Sequence, residues 1–265
     1  MKRKSPRRRL VVAAVALMTI GALTAAPAAA ESAPVAEDDW YTVQPETILE
    51  TYAEHRFDFT WGGEGTGDGE FELAVSVAID KDDFVYVVDP NNHRVQKFTS
   101  NGAFVTKWGS QGSGDGQFQY PRGIAVDNNG YVYVADLDNY RIQKFTDTGT
   151  FVTKWGSQGS GDGQFNKPRG LAFDAAGFLY VTDRHNNRVQ KFTADGTFVT
   201  EWGTAGGGAI QLDDPYGIAV DRHGRVFVAD TDNDLIQVYR ADGAFVRWFN
   251  GLGTLSSPVG VAGDA

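Results

Sequence analysis

The sequence has no cysteine. That excludes a disulfide framework, a thiolate nucleophile and every cysteine-ligated metal site. Histidine is scarce. His55, His93, His185 and His223 are the four present, and each falls in a different register of the repeat described below. A zinc site of three converging histidines therefore lacks its parts. No serine stands in a nucleophile-elbow context, so the chain offers no catalytic triad. The only long apolar run, residues 10–23, is shorter than the ~20 residues that a membrane-spanning helix needs.

Basic residues are also few, 24 against 34 acidic. Six of the 24 lie within residues 2–9, ahead of the apolar run and of Ala28-Ala-Ala30, a small-residue cleavage site. This is the layout of a secretory signal peptide over residues 1–30. Its form points to bacterial export to the envelope or medium, by the ordinary route because Arg7-Arg-Arg-Leu10 matches a twin-arginine signal poorly. Removal of the leader leaves 18 basic against 34 acidic residues, a net charge of −16, and no membrane span. Such a surface repels phosphate backbones and anionic lipid, which excludes nucleic acid as the expected partner. Residues 31–54 read as a polar linker that includes a short helix.

What is abundant is repetition. Trp61, Trp108, Trp155 and Trp202 recur every 47 residues, as do Asp89, Asp136, Asp183 and Asp230. Each unit holds four short runs rich in Val, Ile, Phe and Tyr, separated by turns such as Asp127-Asn-Asn-Gly130. The first two runs are almost continuously apolar, as expected of strands covered on both faces. A period in the forties built of four strands predicts an all-β propeller with one four-stranded antiparallel blade per repeat.

The segments Asn92-His-Arg-Val-Gln-Lys-Phe98, Asn139-Tyr-Arg-Ile-Gln-Lys-Phe145 and Asn186-Asn-Arg-Val-Gln-Lys-Phe192 resemble NHL repeats. Together with the preceding Pro-x-Gly and Val-Tyr-Val-Ala-Asp runs, the resemblance covers the chain from about residue 55 onward. It places repeats at about 71–108, 118–155, 165–202 and 212–248, with a partial one at 258–265. It implies a fold more than a function, because NHL propellers include binding modules, scaffolds, sensor ectodomains and lyases.

Four complete blades leave an orphan strand d at residues 56–61 and an orphan strand a at 259–264. The expectation is a five- or six-bladed ring from which strands are missing, with self-association through open blade edges.

Asp89, Asp136, Asp183 and Asp230 each close a strand b. Arg94, Arg141 and Arg188, five residues later, are placed to neutralise the first three, and Asn92, Asn139, Asn186 and Asn233 to cap the same loop. The main reading is a structural network repeated per blade. The functional one is a polar binding rim made of Asp89, Arg94, Asp136, Asn139, Arg141, Asp183, Asn186, Arg188 and Asp230. In blade 4, Leu235 removes the arginine and Asp230, Asp232 and Asp234 crowd one loop, a set of hard oxygen donors suited to Ca²⁺. The glycine-rich runs, such as Gly112-Ser-Gly-Asp-Gly116, lack the Lys-Ser/Thr of a phosphate loop and read as crossovers. Phe71, Phe118, Phe165 and Leu212 plug the blades that follow them.

The sequence thus points to an exported, non-enzymatic propeller that binds a protein, peptide or glycan on a loop face, with no catalytic residue and no obligatory cofactor. The rival readings are a lyase or lactonase with a metal in the central channel, and a sensor-type ectodomain.

Overall fold

The computed structural model describes residues 60–263. The leader, the linker with its short helix and residues 55–59 lie outside the described residues, as do residues 264 and 265. Among the described residues no helix is long and apolar enough to cross a membrane.

Four sheets follow one another along the chain, each of four antiparallel strands in sequential order. Blade 1 comprises strands a to d at Ser76–Ile79, Val85–Asp89, Arg94–Phe98 and Phe104–Trp108. Blade 2 comprises Pro121–Val126, Val132–Asp136, Arg141–Phe145 and Phe151–Trp155. Blade 3 comprises Pro168–Phe173, Leu179–Asp183, Arg188–Phe192 and Phe198–Trp202. Blade 4 comprises Pro215–Val220, Val226–Asp230, Leu235–Tyr239 and Phe245–Phe249.

Burial follows the sequence pattern. Strand b of blade 2, Val-Tyr-Val-Ala-Asp, is buried along its whole length because neighbouring blades cover both faces. Strand d alternates between half-buried and exposed residues, as an outer strand with one wet face should.

A single sheet cannot enclose a core, so the core lies between blades. Tyr86, Val88 and Val95 of blade 1 meet Ile124, Val132 and Phe145 of blade 2, and Phe118 from the crossover is buried among them. Phe165 holds the same place between blades 2 and 3, and Leu212 between blades 3 and 4. Removing such a plug would cost roughly 3–5 kcal/mol.

Each tryptophan that ends a strand d lies on the c–d hairpin of the next blade. A Cβ on Gly149 would fall 2.6 Å from the Trp108 ring, and one on Gly196 2.5 Å from Trp155. Both glycines have φ near +90°, so turn and close approach alike require glycine there. Trp61 packs on Gly102 in the same way, although it is not itself part of a strand.

The orphan strand a departs from expectation. Residues 258–263 are not in a strand: strand a gains its ladder from strand b, and among the described residues no strand b pairs with this segment. The segment nevertheless runs where the strand a of a next blade would. Gly217 abuts the Val259 carbonyl as Gly170 abuts that of Tyr216 and Gly123 that of Arg169. Thr231 Oγ1 also donates to the Pro258 carbonyl at 2.8 Å.

Candidate binding face

Blade 2 shows how one face of the molecule is built. Strand b ends at Asp136, and strand c begins opposite it at Arg141. Between them, a single 3-10 turn at Leu137–Asn139 closes on Tyr140 in the left-handed region. Asp136 is fully buried. Its Oδ1 accepts from the Gln119 backbone N–H at 2.7 Å. Its Oδ2 accepts from Asn139 Nδ2 at 2.9 Å, Arg141 Nε at 2.8 Å and Gln143 Nε2 at 3.2 Å.

The remaining donors turn to the glycine-rich crossover. Arg141 binds the carbonyls of Ser113 at 2.7 Å and of Gly114 and Gln117 at 2.8 Å. Asn139 binds the Gly112 carbonyl at 2.8 Å. Gln143 donates to the Gln117 carbonyl at 2.7 Å and accepts from the Gly116 N–H at 3.0 Å. Four side chains thereby fix a loop that has little structure of its own. Burial pushes the Asp136 carboxyl up from its ordinary range, and the bonds from Gln119, Asn139 and Arg141 pull against it.

Blade 3 repeats the lock with Asp183, Asn186, Arg188 and Gln190, and blade 1 with Asp89, Asn92, Arg94 and Gln96. The three ion pairs measure 2.8–3.0 Å. The structure therefore brings these sequence-nominated residues together blade by blade. Their aspartates and arginines are buried, and their polar atoms engage the chain's own crossovers.

Blade 4 keeps Asp230, which accepts from Asn233 at 3.0 Å and Gln237 at 2.8 Å, without an arginine. Burial pushes its carboxyl up as well. Asp232 is exposed, and Asp234 accepts from the Ser257 N–H at 2.7 Å. Among the described residues, no three His, Asp or Glu side chains come close enough to hold a metal ion, these three included.

On the same face, each b–c loop is stapled to the next blade. His93 Nδ1 accepts from the Tyr120 N–H at 3.3 Å, and the two rings meet edge to face. Lys167 lies 5.3 Å from the Tyr140 ring and 2.7 Å from Asp138. Asn187 accepts from the Asp214 N–H at 3.0 Å, while Arg184 forms an ion pair with Asp214.

These staples surround a cavity of about 250 Å³, walled by the beginnings of the inner strands. Val75, Arg122, Arg169, Tyr216 and Val259 all line it. In blades 2 to 4 the lining residue is the x of Pro-x-Gly, a position that sequence reasoning passed over. The available signal was a fixed place beside a glycine that holds arginine in blades 2 and 3 and tyrosine in blade 4. The Arg169 guanidinium stacks on Tyr216 at 3.4 Å, with Arg184 4.8 Å from the same ring. Burial lowers Arg169 to about 10; the like charges of Arg122 and Arg184 add to this, while Tyr216 and Asp214 oppose it.

This arrangement of radial four-stranded blades, packed face to face about a central cavity, is a β-propeller. The blades are NHL repeats: the NHL repeat family matches residues 71–98, 118–145, 165–192 and 212–239. No curated protein matches the chain in sequence. Among solved structures, it is similar to a streptogramin B lyase, with 15% identity and a TM-score of 0.56 over 71% of this chain and 58% of that one. It is also similar to an inactive H270A virginiamycin B lyase from Staphylococcus aureus with quinupristin, with 17% identity and a TM-score of 0.58 over 76% and 62%. A chain of a nidogen/laminin complex matches with 21% identity and a TM-score of 0.57 over 71% and 68%. The chain thus spans about three fifths of the length of the two lyases. At these identities the likeness is one of fold.

Proposed function

We propose that this chain is an exported, non-enzymatic binding propeller that takes a protein or peptide ligand on the face where crossovers and b–c loops meet. The observation that carries this reading is a division of labour. The Asp–Asn–Arg–Gln lock repeats in blades 1 to 3 and fixes the loops, while the lining position at its centre is not held to one residue type: Val75, arginine at 122 and 169, Tyr216, Val259. A constant frame that presents varied side chains suits recognition, because preorganised loops lose little entropy on binding. The nidogen/laminin neighbour is a precedent for a propeller of this fold in a protein complex. Export rests on the basic, apolar and small-residue leader.

The experiment is a binding screen of the mature protein against peptide and glycan arrays. A hit on this face should be lost with Tyr216→Ala and kept with Asn129→Ala, which lies in an a–b hairpin. The two lyase neighbours supply the rival reading. Mass spectrometry of quinupristin incubated with the protein tests it, and protein-dependent conversion of quinupristin would overturn the non-enzymatic assignment.

A further inference from the structure

We propose that Arg122 and Arg169 form a carboxylate-binding site at the mouth of the central cavity, with Tyr216, Val75 and Val259 taking the apolar body of the ligand. This rests on the binding-module reading and names the chemistry of its centre.

Every buried arginine of the blade locks is saturated. Arg94, Arg141 and Arg188 each hold an aspartate and loop carbonyls. The cavity arginines differ. Arg122 Nε is buried with no hydrogen-bond partner. Among the described residues, Arg169 has the Tyr216 ring as its neighbour and no carboxylate or carbonyl bonded to its guanidinium. Two half-buried guanidiniums thus share one cavity in a chain with ten more acidic than basic residues. Their mutual repulsion is what an anion placed between them would relieve.

The ligand class follows from charge, shape and size. The acidic excess of the whole molecule disfavours multivalent anions. A planar two-oxygen anion fits the guanidinium fork. Valine and tyrosine walls favour a short apolar body next to the charge. About 250 Å³ admits a small carboxylic acid or the carboxylate end of a peptide.

The test is calorimetric titration of the full chain with sodium benzoate, with sodium phosphate, and with a short Val-terminated peptide as free acid and as amide. Saturable benzoate or peptide-acid binding is expected, with the amide inert. Affinity should fall at least tenfold in Arg122→Gln and Arg169→Gln. Binding of the peptide acid identifies a chain end as the source of the carboxylate, and binding of benzoate alone a small molecule. Phosphate binding tighter than either, no saturable binding, or unchanged binding in the double variant would overturn the proposal. Melting of the ligand-free variants supplies the control: removal of unpaired charge should leave Tm equal or higher, and a fall would assign the arginines to the scaffold instead. If the arginine variants keep an array hit that Tyr216→Ala loses, the carboxylate site falls and the binding module stands.

Discussion

Blades 2 and 4 hold the same crossover in two ways. In blade 2, Asp136, Asn139, Arg141 and Gln143 grip a loop whose Gly116 takes the left-handed conformation and donates its N–H to Gln143. In blade 4, Leu235 stands in place of the arginine and Ile210 in place of the glycine, with Ile210 at φ +66°. The amide oxygen of Gln237 accepts instead from the Tyr239 hydroxyl at 2.7 Å, where the other blades carry phenylalanine. Asn233 still reaches the Gly206 carbonyl at 2.8 Å, so the loop stays in place. The comparison teaches that the lock is modular. Asp, Asn and Gln suffice to place the crossover, and arginine adds charge balance and three further bonds.

The largest effect should come from removing that arginine where it is present. Arg141→Met leaves the Asp136 carboxylate buried without its cation and frees the Ser113 and Gly114 carbonyls, a loss of about 3–5 kcal/mol. Leu235→Met in blade 4 should change stability by less than about 1 kcal/mol. Urea denaturation measures both. Equal losses at the two sites would mean that the arginine contributes packing rather than charge.

The architecture was legible because a 47-residue period survives in the chain itself, and so was the Asp–Arg pairing, since strands b and c meet across a short loop. What Arg141 does with its other nitrogens was not legible. The carbonyls it holds lie 24–28 residues earlier, and only closure of the blade brings them near. The cavity arginines were hidden for a similar reason. Arg122 and Arg169 are 47 residues apart and meet only because consecutive inner strands pack side by side about one cavity. The three aspartates of blade 4 looked like ligands in sequence, yet Asp230 turns inward while Asp232 stays exposed.

Installing the missing cation sharpens the comparison from the other side. Leu235→Arg should reach Asp230 and the carbonyls of residues 207 and 208, for a gain of about 1–2 kcal/mol at neutral pH. The gain should depend on pH with a definite sign. Burial holds the folded Asp230 carboxyl above its unfolded value, so the wild-type fold binds the extra proton as pH falls and gains stability through the folded value. An arginine pulls that value down and removes the gain. The advantage of the variant should therefore be greatest near pH 7 and shrink on acidification. An advantage that grew as pH fell would place the new guanidinium elsewhere.

The smallest effect concerns the backbone of the blade 4 crossover. Ile210 is 53% exposed and β-branched, and it holds a conformation that the equivalent Gly69, Gly116 and Gly163 adopt at φ +72° to +79°. The left-handed region costs a residue with a Cβ about 1–2 kcal/mol, and glycine returns about 0.5–1 kcal/mol of that as entropy lost on folding. Ile210→Gly should therefore stabilise the protein by about 0.5–1 kcal/mol, read as a small rise in Tm. It also restores the N–H geometry by which Gly116 and Gly163 reach their glutamines, so Gln237 gains a second donor beside Tyr239. Combined with Tyr239→Phe, the glycine should recover most of what the lost hydroxyl removes. Failure of that rescue would show that the crossover of blade 4 follows a different backbone path from its counterparts, and that Tyr239 is the sole donor to the Gln237 amide oxygen rather than a substitute for the missing glycine contact.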